Sequence, residues 1–119
     1  MAEHEIRILH LTSEREDRGA LERAGVDAGG IQELLPKMRH RNVLIDGLEC
    51  GIANTIKQEM LSQGGDAAIA RGADECRIDR SDVILMGTHG QLQRVADRIA
   101  LMRGDLRMIS ELLRELLQN

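Results

Sequence analysis

Residues 52–73 read IANTIKQEMLSQGGDAAIARGA, and the order of signals in this stretch decides the fold. Ile52, Ala53, Ile56, Met60 and Leu61 share one helical face, while Asn54, Thr55, Lys57, Gln58 and Ser62 share the other. Gly64 and Gly65 follow, able to take the positive φ that closes a helix. Ala67-Ala68-Ile69-Ala70 then offers a thin strand against which a helix can pack closely. A helix that stops on glycine and feeds a strand at once is a unit of a layered helix-and-sheet domain.

Working outward, Glu5–Leu11 reads as a first strand, and Ser13 with Glu16 has the spacing of a capping box opening a helix over residues 14–24. That helix stops near Gly25. Residues 28–37 read as a turn and short helix ended by Pro36, and Arg39–Ile45 as the second strand, left at Asp46-Gly47. Asp66–Ala70 is the third strand and Glu75–Ile78 a short edge strand. Val83-Ile84-Leu85-Met86 is a continuous apolar run, expected as a central strand buried on both faces. Gln91–Leu101 carries Leu92, Val95, Ala96 and Ile99 on one side, and a last helix over 105–117 carries a broad stripe of Leu106, Ile109, Leu112, Leu113, Leu116 and Leu117. The sum is an α/β domain, with α+β as the alternative. It spans 1–119 as one unit, with a mixed four-stranded sheet packed by helices.

Composition narrows what such a domain does. The chain has 119 residues, a net charge of −4 and no Phe, Tyr or Trp. Its core must be built from aliphatic residues and six methionines, and no aromatic platform exists on which a base could stack. Nucleic acid is therefore not expected as a partner. No apolar run reaches membrane-spanning length, the start MAEHEIR is not a signal peptide, and a cytoplasmic setting is the expectation. Cys50 and Cys76 are too few and too irregularly spaced for a disulfide scaffold or zinc site, and are read as reduced, packing cysteines. His4, His10, His40 and His89 show no metal-ligand spacing. Neither a metal nor a cofactor is expected.

Two polar clusters are candidate binding or docking sites. Asn54, Lys57 and Gln58 share a helical flank, from which Lys57 is in reach of Asp66. Gly87, Thr88, His89 and Gly90 follow the buried strand and precede a helix, an arrangement that can present backbone N–H groups to an anion. MGTHG resembles the nucleotide-binding turn of universal stress proteins, but the later Gly-Ser or Gly-Thr of that pattern is replaced by Ala100-Leu101, so its phosphate half is absent. No catalytic residue is assigned.

The runs NTIKQEMLSQGGDAAIARGA and DVILMGT resemble the N-terminal accessory region of the extended bacterial dihydropteroate synthases. The resemblance is clearest over Asn54–Ala73 and Ser81–Thr88, with KQEML at Lys57–Leu61 its most specific part. The synthase barrel's Asn-Val-Thr-Pro-Asp-Ser-Phe pterin segment is missing, as is its Ser-Arg-Lys motif; with one Pro and no Phe this chain cannot contain the first. The resemblance implies a non-catalytic accessory domain of folate biosynthesis. Its implied role is docking on or positioning the barrel that joins p-aminobenzoate to a pterin diphosphate, or dimerisation. A small-ligand or nucleotide sensor using the Gly87–Gly90 turn is the alternative, and an independent enzyme the third. The width of the last leucine stripe adds a homodimer expectation, with Leu113 and Leu117 at its interface.

Overall fold

The structure, a computed structural model, describes residues 4–118. The chain divides into two compact units, Met1–Leu35 and Pro36–Asn119. In the first, helix α1 (Glu14–Arg23) opens where the sequence placed it. Ser13 Oγ accepts from the Glu16 N–H at 3.1 Å, and the Glu16 carboxylate accepts from the Thr12 N–H at 2.8 Å. It ends in a Schellman motif, with Gly25 at φ 87°, Gly25 N–H on Glu22 and Val26 N–H on Leu21. Helix α2 (Ala28–Met38) begins under the Asp27 carboxylate, which takes the Gly30 N–H at 2.7 Å. It continues through Pro36 rather than ending there, because a proline in the last turn forfeits only one helical hydrogen bond.

Glu5–Leu11 is not a strand. Residues 4–12 carry no regular structure, and Ile6, Ile8 and Leu9 are exposed. A strand exists only by pairing and by burying a face, and the mixed alternation of EIRILHL provides neither.

The second unit runs β1 (His40–Glu49), α3 (Cys50–Ser62), β2 (Asp66–Ile69), β3 (Arg80–Thr88), α4 (His89–Ile99) and α5 (Asp105–Leu117). Its sheet has three strands in the order β1-β3-β2, and both pairings are antiparallel. The fold is thus α+β in its pairing, not a mixed four-stranded sheet: residues 71–79 are turns and bends, so Glu75–Ile78 adds no strand. β1 and β2 point the same way, joined through α3, with β3 slotted between them, which is a split β-α-β arrangement. β1 also runs past Asp46-Gly47. Gly47, at φ 61°, forms a bulge whose N–H goes to Asp82 Oδ1 (2.9 Å) and whose carbonyl takes Arg80 Nη1 (2.8 Å).

One face of the sheet is the core. Val43, Ala67, Val83 and Leu85 point toward Ala53, Ile56 and Met60 of α3 and toward Leu92, Val95, Ala96 and Ile99 of α4. β3 is central as expected but buried on one face only: Ser81, Val83, Leu85 and Gly87 are covered, while Ile84 and Met86 on the other side are exposed. Arg98 reaches from α4 to hydrogen-bond Glu59 on α3, and that contact raises the arginine's pKa. Gly64, at φ 86°, closes α3 as predicted; Gly65 is required for a different reason, since a Cβ there would lie 2.8 Å from both Met60 Cε and the Met86 carbonyl.

α5 packs on α4, and here the predicted interface is corrected. Leu113 and Leu117 are 4% and 5% exposed and belong to the domain's own core, together with Ile109. Ser110, fully buried, donates to the Ala96 carbonyl at 2.7 Å and fixes which side of α5 turns inward. Met108, Leu112 and Leu116 form the outward side, Leu112 at 61% exposure.

Candidate functional site

The geometry of the sheet edges explains where Lys57 acts. β3 offers its odd-numbered main chain to β1 and its even-numbered main chain to β2. Arg39 accepts from the His89 N–H at 2.7 Å in the β1–β3 register, and Ile84 and Met86 stand opposite Ala68 and Asp66. The main chain of Ala67 therefore points out of the sheet. Both of its groups are met: Lys57 Nζ donates to the Ala67 carbonyl at 2.7 Å, and the Ala67 N–H donates to Asp66 Oδ1 at 2.7 Å. Lys57 and Asp66 also pair at 3.7 Å, as the sequence anticipated. Since α3 leads straight into β2, the lysine's long stem can cross the edge and close it.

Asn54 has an equally internal task. Its Nδ2 donates to the Ala73 carbonyl (2.8 Å) and the Cys50 carbonyl (3.0 Å), tying the 70–79 loop to the start of α3. Beside it stands a disulfide between Cys50 and Cys76, with Cα atoms 5.5 Å apart. The expectation of two reduced packing cysteines is thereby corrected. Cys76 reaches its partner at a φ of 52°, rare for a side-chain-bearing residue, and the Cys50 N–H is held by the Asp79 carbonyl at 2.9 Å. Gln58, the third member of the predicted flank, is exposed.

The second cluster is a helix cap. Gly87 and Thr88 end β3, and His89 and Gly90 are the first residues of α4. Thr88 Oγ1 accepts from the Gln91 N–H (3.1 Å) while Gln91 Oε1 accepts from the Thr88 N–H (2.9 Å), a complete capping box. The His89 N–H is bonded to Arg39. Three of the N–H groups that would have formed an anion cradle are already occupied. Gly87 answers to packing as well, since a Cβ would come within 3.0 Å of Gln91 Oε1 and 3.2 Å of Met60 Cε.

An open cleft of about 450 Å³ lies at this end of the sheet, lined by His40, Asn42, Asp66, Gly87, Thr88 and Gln91 among others. It brings Gly87 and Thr88 beside Asp66, the partner of Lys57, but does not include Asn54 or Gln58. Gln91 was missed, although Thr88-x-x-Gln91 has capping-box spacing and that signal would have found it. His40, Asn42 and Asp66 came from strand ends that only pairing brings together, and the Cys50–Cys76 bridge had no sequence signal. Among the described residues no group of three or more His, Cys, Asp or Glu is placed to hold a metal ion, and no helix is long and apolar enough to cross a membrane. Compared with known proteins, the chain matches no family model, no curated protein and no solved structure.

Proposed function

We propose that this chain is a non-catalytic interaction domain that docks through the open face of its sheet, and that its partner is a dihydropteroate synthase barrel. The observation that carries docking is a row in register across all three strands. Leu44, Ile84 and Ala68 stand side by side on the uncovered face, with Leu44 63% and Ile84 43% exposed, and Met86 follows Ile84 along β3 on the same face. Strip and polar clusters differ in kind: Asn54, Lys57 and Thr88 are engaged in the domain's own hydrogen bonds, while the apolar strip has surface to offer. The identity of the partner rests on the resemblance over Asn54–Ala73 and Ser81–Thr88.

Calorimetric titration of the chain into a purified synthase barrel tests the reading. Saturable binding that Ile84→Lys abolishes, with no dihydropteroate formed by the chain alone, is the expected outcome. Absence of binding, or turnover that copurifies with this polypeptide, overturns it. The Cys50–Cys76 disulfide is unusual for the cytoplasmic setting read from the sequence, since disulfides persist mainly in oxidising compartments. Alkylation of freshly lysed cells reads the redox state of the pair directly.

A further inference from the structure

We propose that β1 pairs edge to edge with β1 of a second copy of this chain, antiparallel about a two-fold axis, joining two three-stranded sheets into one. The inference goes beyond the docking role proposed above and uses a different surface, the strand edge and not the sheet face. β1 is an outer strand, and among the described residues no strand pairs with its far side. Its odd-numbered residues exchange hydrogen bonds with β3, so the N–H and C=O groups of Asn42 and Leu44 point outward. The opposite edge shows how this domain closes a strand: Lys57 and Asp66 occupy both outward groups of Ala67. Asn42 and Leu44 have no such plug among the described residues. Unmet main-chain groups in extended register are a template for another strand.

The side chains argue for a second copy as the occupant. The exposed face of β1 carries, in order, His40, Asn42, Leu44 and Asp46. With the axis beside Val43, Asn42 stands opposite the partner's Leu44, and His40 stands opposite the partner's Asp46, a ring N–H donor against a carboxylate at each end. The two Leu44 side chains become diagonal neighbours across the axis, within reach of one another. The apolar row Leu44–Ile84–Ala68 then continues from one protomer into the next. Pairing through the edge leaves the face itself open, so docking on a barrel and self-pairing are compatible and separable.

Sedimentation equilibrium of the whole chain, from low micromolar to several hundred micromolar, is the test. A reversible monomer–dimer equilibrium is expected. Asn42→Pro, which deletes an outward N–H while sparing the β1–β3 ladder, and Leu44→Lys, at an exposed position, should each weaken it by at least about tenfold. Ala68→Lys lies on the same face but on the far strand and should leave the dimer in place. In hydrogen exchange, the Asn42 and Leu44 amides should gain protection as concentration rises, while Val43 and Ile45 stay protected throughout. A single monomeric species across the range, or a dimer that survives folded Leu44→Lys and yields to Ala68→Lys, overturns the proposal. A chain that binds the barrel yet stays monomeric refutes edge pairing alone; a dimer that ignores the barrel refutes docking alone.

Discussion

On its short side the sheet ends at Ala67, with a lysine on the carbonyl and an aspartate on the amide; on its long side it ends at Asn42 and Leu44, whose main chain faces outward. The two edges belong to one sheet and flank the same central strand, so the contrast is local in origin. β2 follows directly on α3, and a helix one layer above can lower a long side chain over the strand it feeds. The lesson is that an edge is closed by what its neighbours in sequence can reach, and strand length alone does not decide which edge stays available.

The contrast can be broken most forcefully through the disulfide. The Cys50–Cys76 bridge closes the segment holding α3, β2 and the Lys57 plug, at a sequence separation of 26. Reduction, or Cys76→Ser, should cost about 3–4 kcal/mol by chain-entropy reasoning. In native-state hydrogen exchange the loss should appear first at β2; equal loss along β1 would show that the two edges are not independent. Next comes Gly65→Ala at the entry to β2. The new methyl must displace the flexible Met60 end and also the fixed Met86 carbonyl, so about 2 kcal/mol of destabilisation in urea is expected.

A smaller effect isolates the plug itself. Lys57→Met keeps the stem and removes the ammonium, leaving the Ala67 carbonyl to water. About 1 kcal/mol should be lost, together with faster exchange at β2 and a new tendency to self-associate through that edge. The Asp66 pairing adds little to this figure, because that carboxylate is more than half exposed and screened by solvent. Smallest of all is Leu44→Lys, which should change monomer stability by no more than about 0.5 kcal/mol, since the side chain is 63% exposed and lies outside the core. A large loss there, read from the urea midpoint at low concentration, would mean the long edge is not open.

Much of this architecture was legible because its signals are local. The Ile52–Ser62 face, the Gly64 stop, the α4 stripe and the Ser13 cap each depend on residues within a turn or two of one another. The failures were decisions between surfaces. In α5, Ile109-Leu113-Leu117 and Met108-Leu112-Leu116 are both three-residue apolar rows at four-residue spacing, and both end on two leucines. The choice was made by Ser110, whose hydroxyl finds the Ala96 carbonyl, so a polar residue marked the inside. In β3, Ile84 and Met86 read as core, yet α3 and α4 pack on the opposite face of the sheet and leave these two side chains exposed. In the Gly87–Gly90 turn the N–H groups looked free until Gln91 and Arg39 claimed them. The synthase resemblance is a separate matter, carried by the KQEML and GGDAA runs and by no feature of the coordinates.

The split arrangement of the strands also bears on how the protein is made. β1 and β2 lie in the first part of the second unit to leave the ribosome, pointing the same way with a vacant lane between them. Neighbouring strands sit about 4.8 Å apart, so these two are held at twice that spacing and cannot bond to each other in their final places. The lane is filled only after residue 88 has been added. Until then the nascent chain carries two unpaired strands and the α3 face that will cover them, so its aliphatic surface and strand edges are most open to misassociation in this interval.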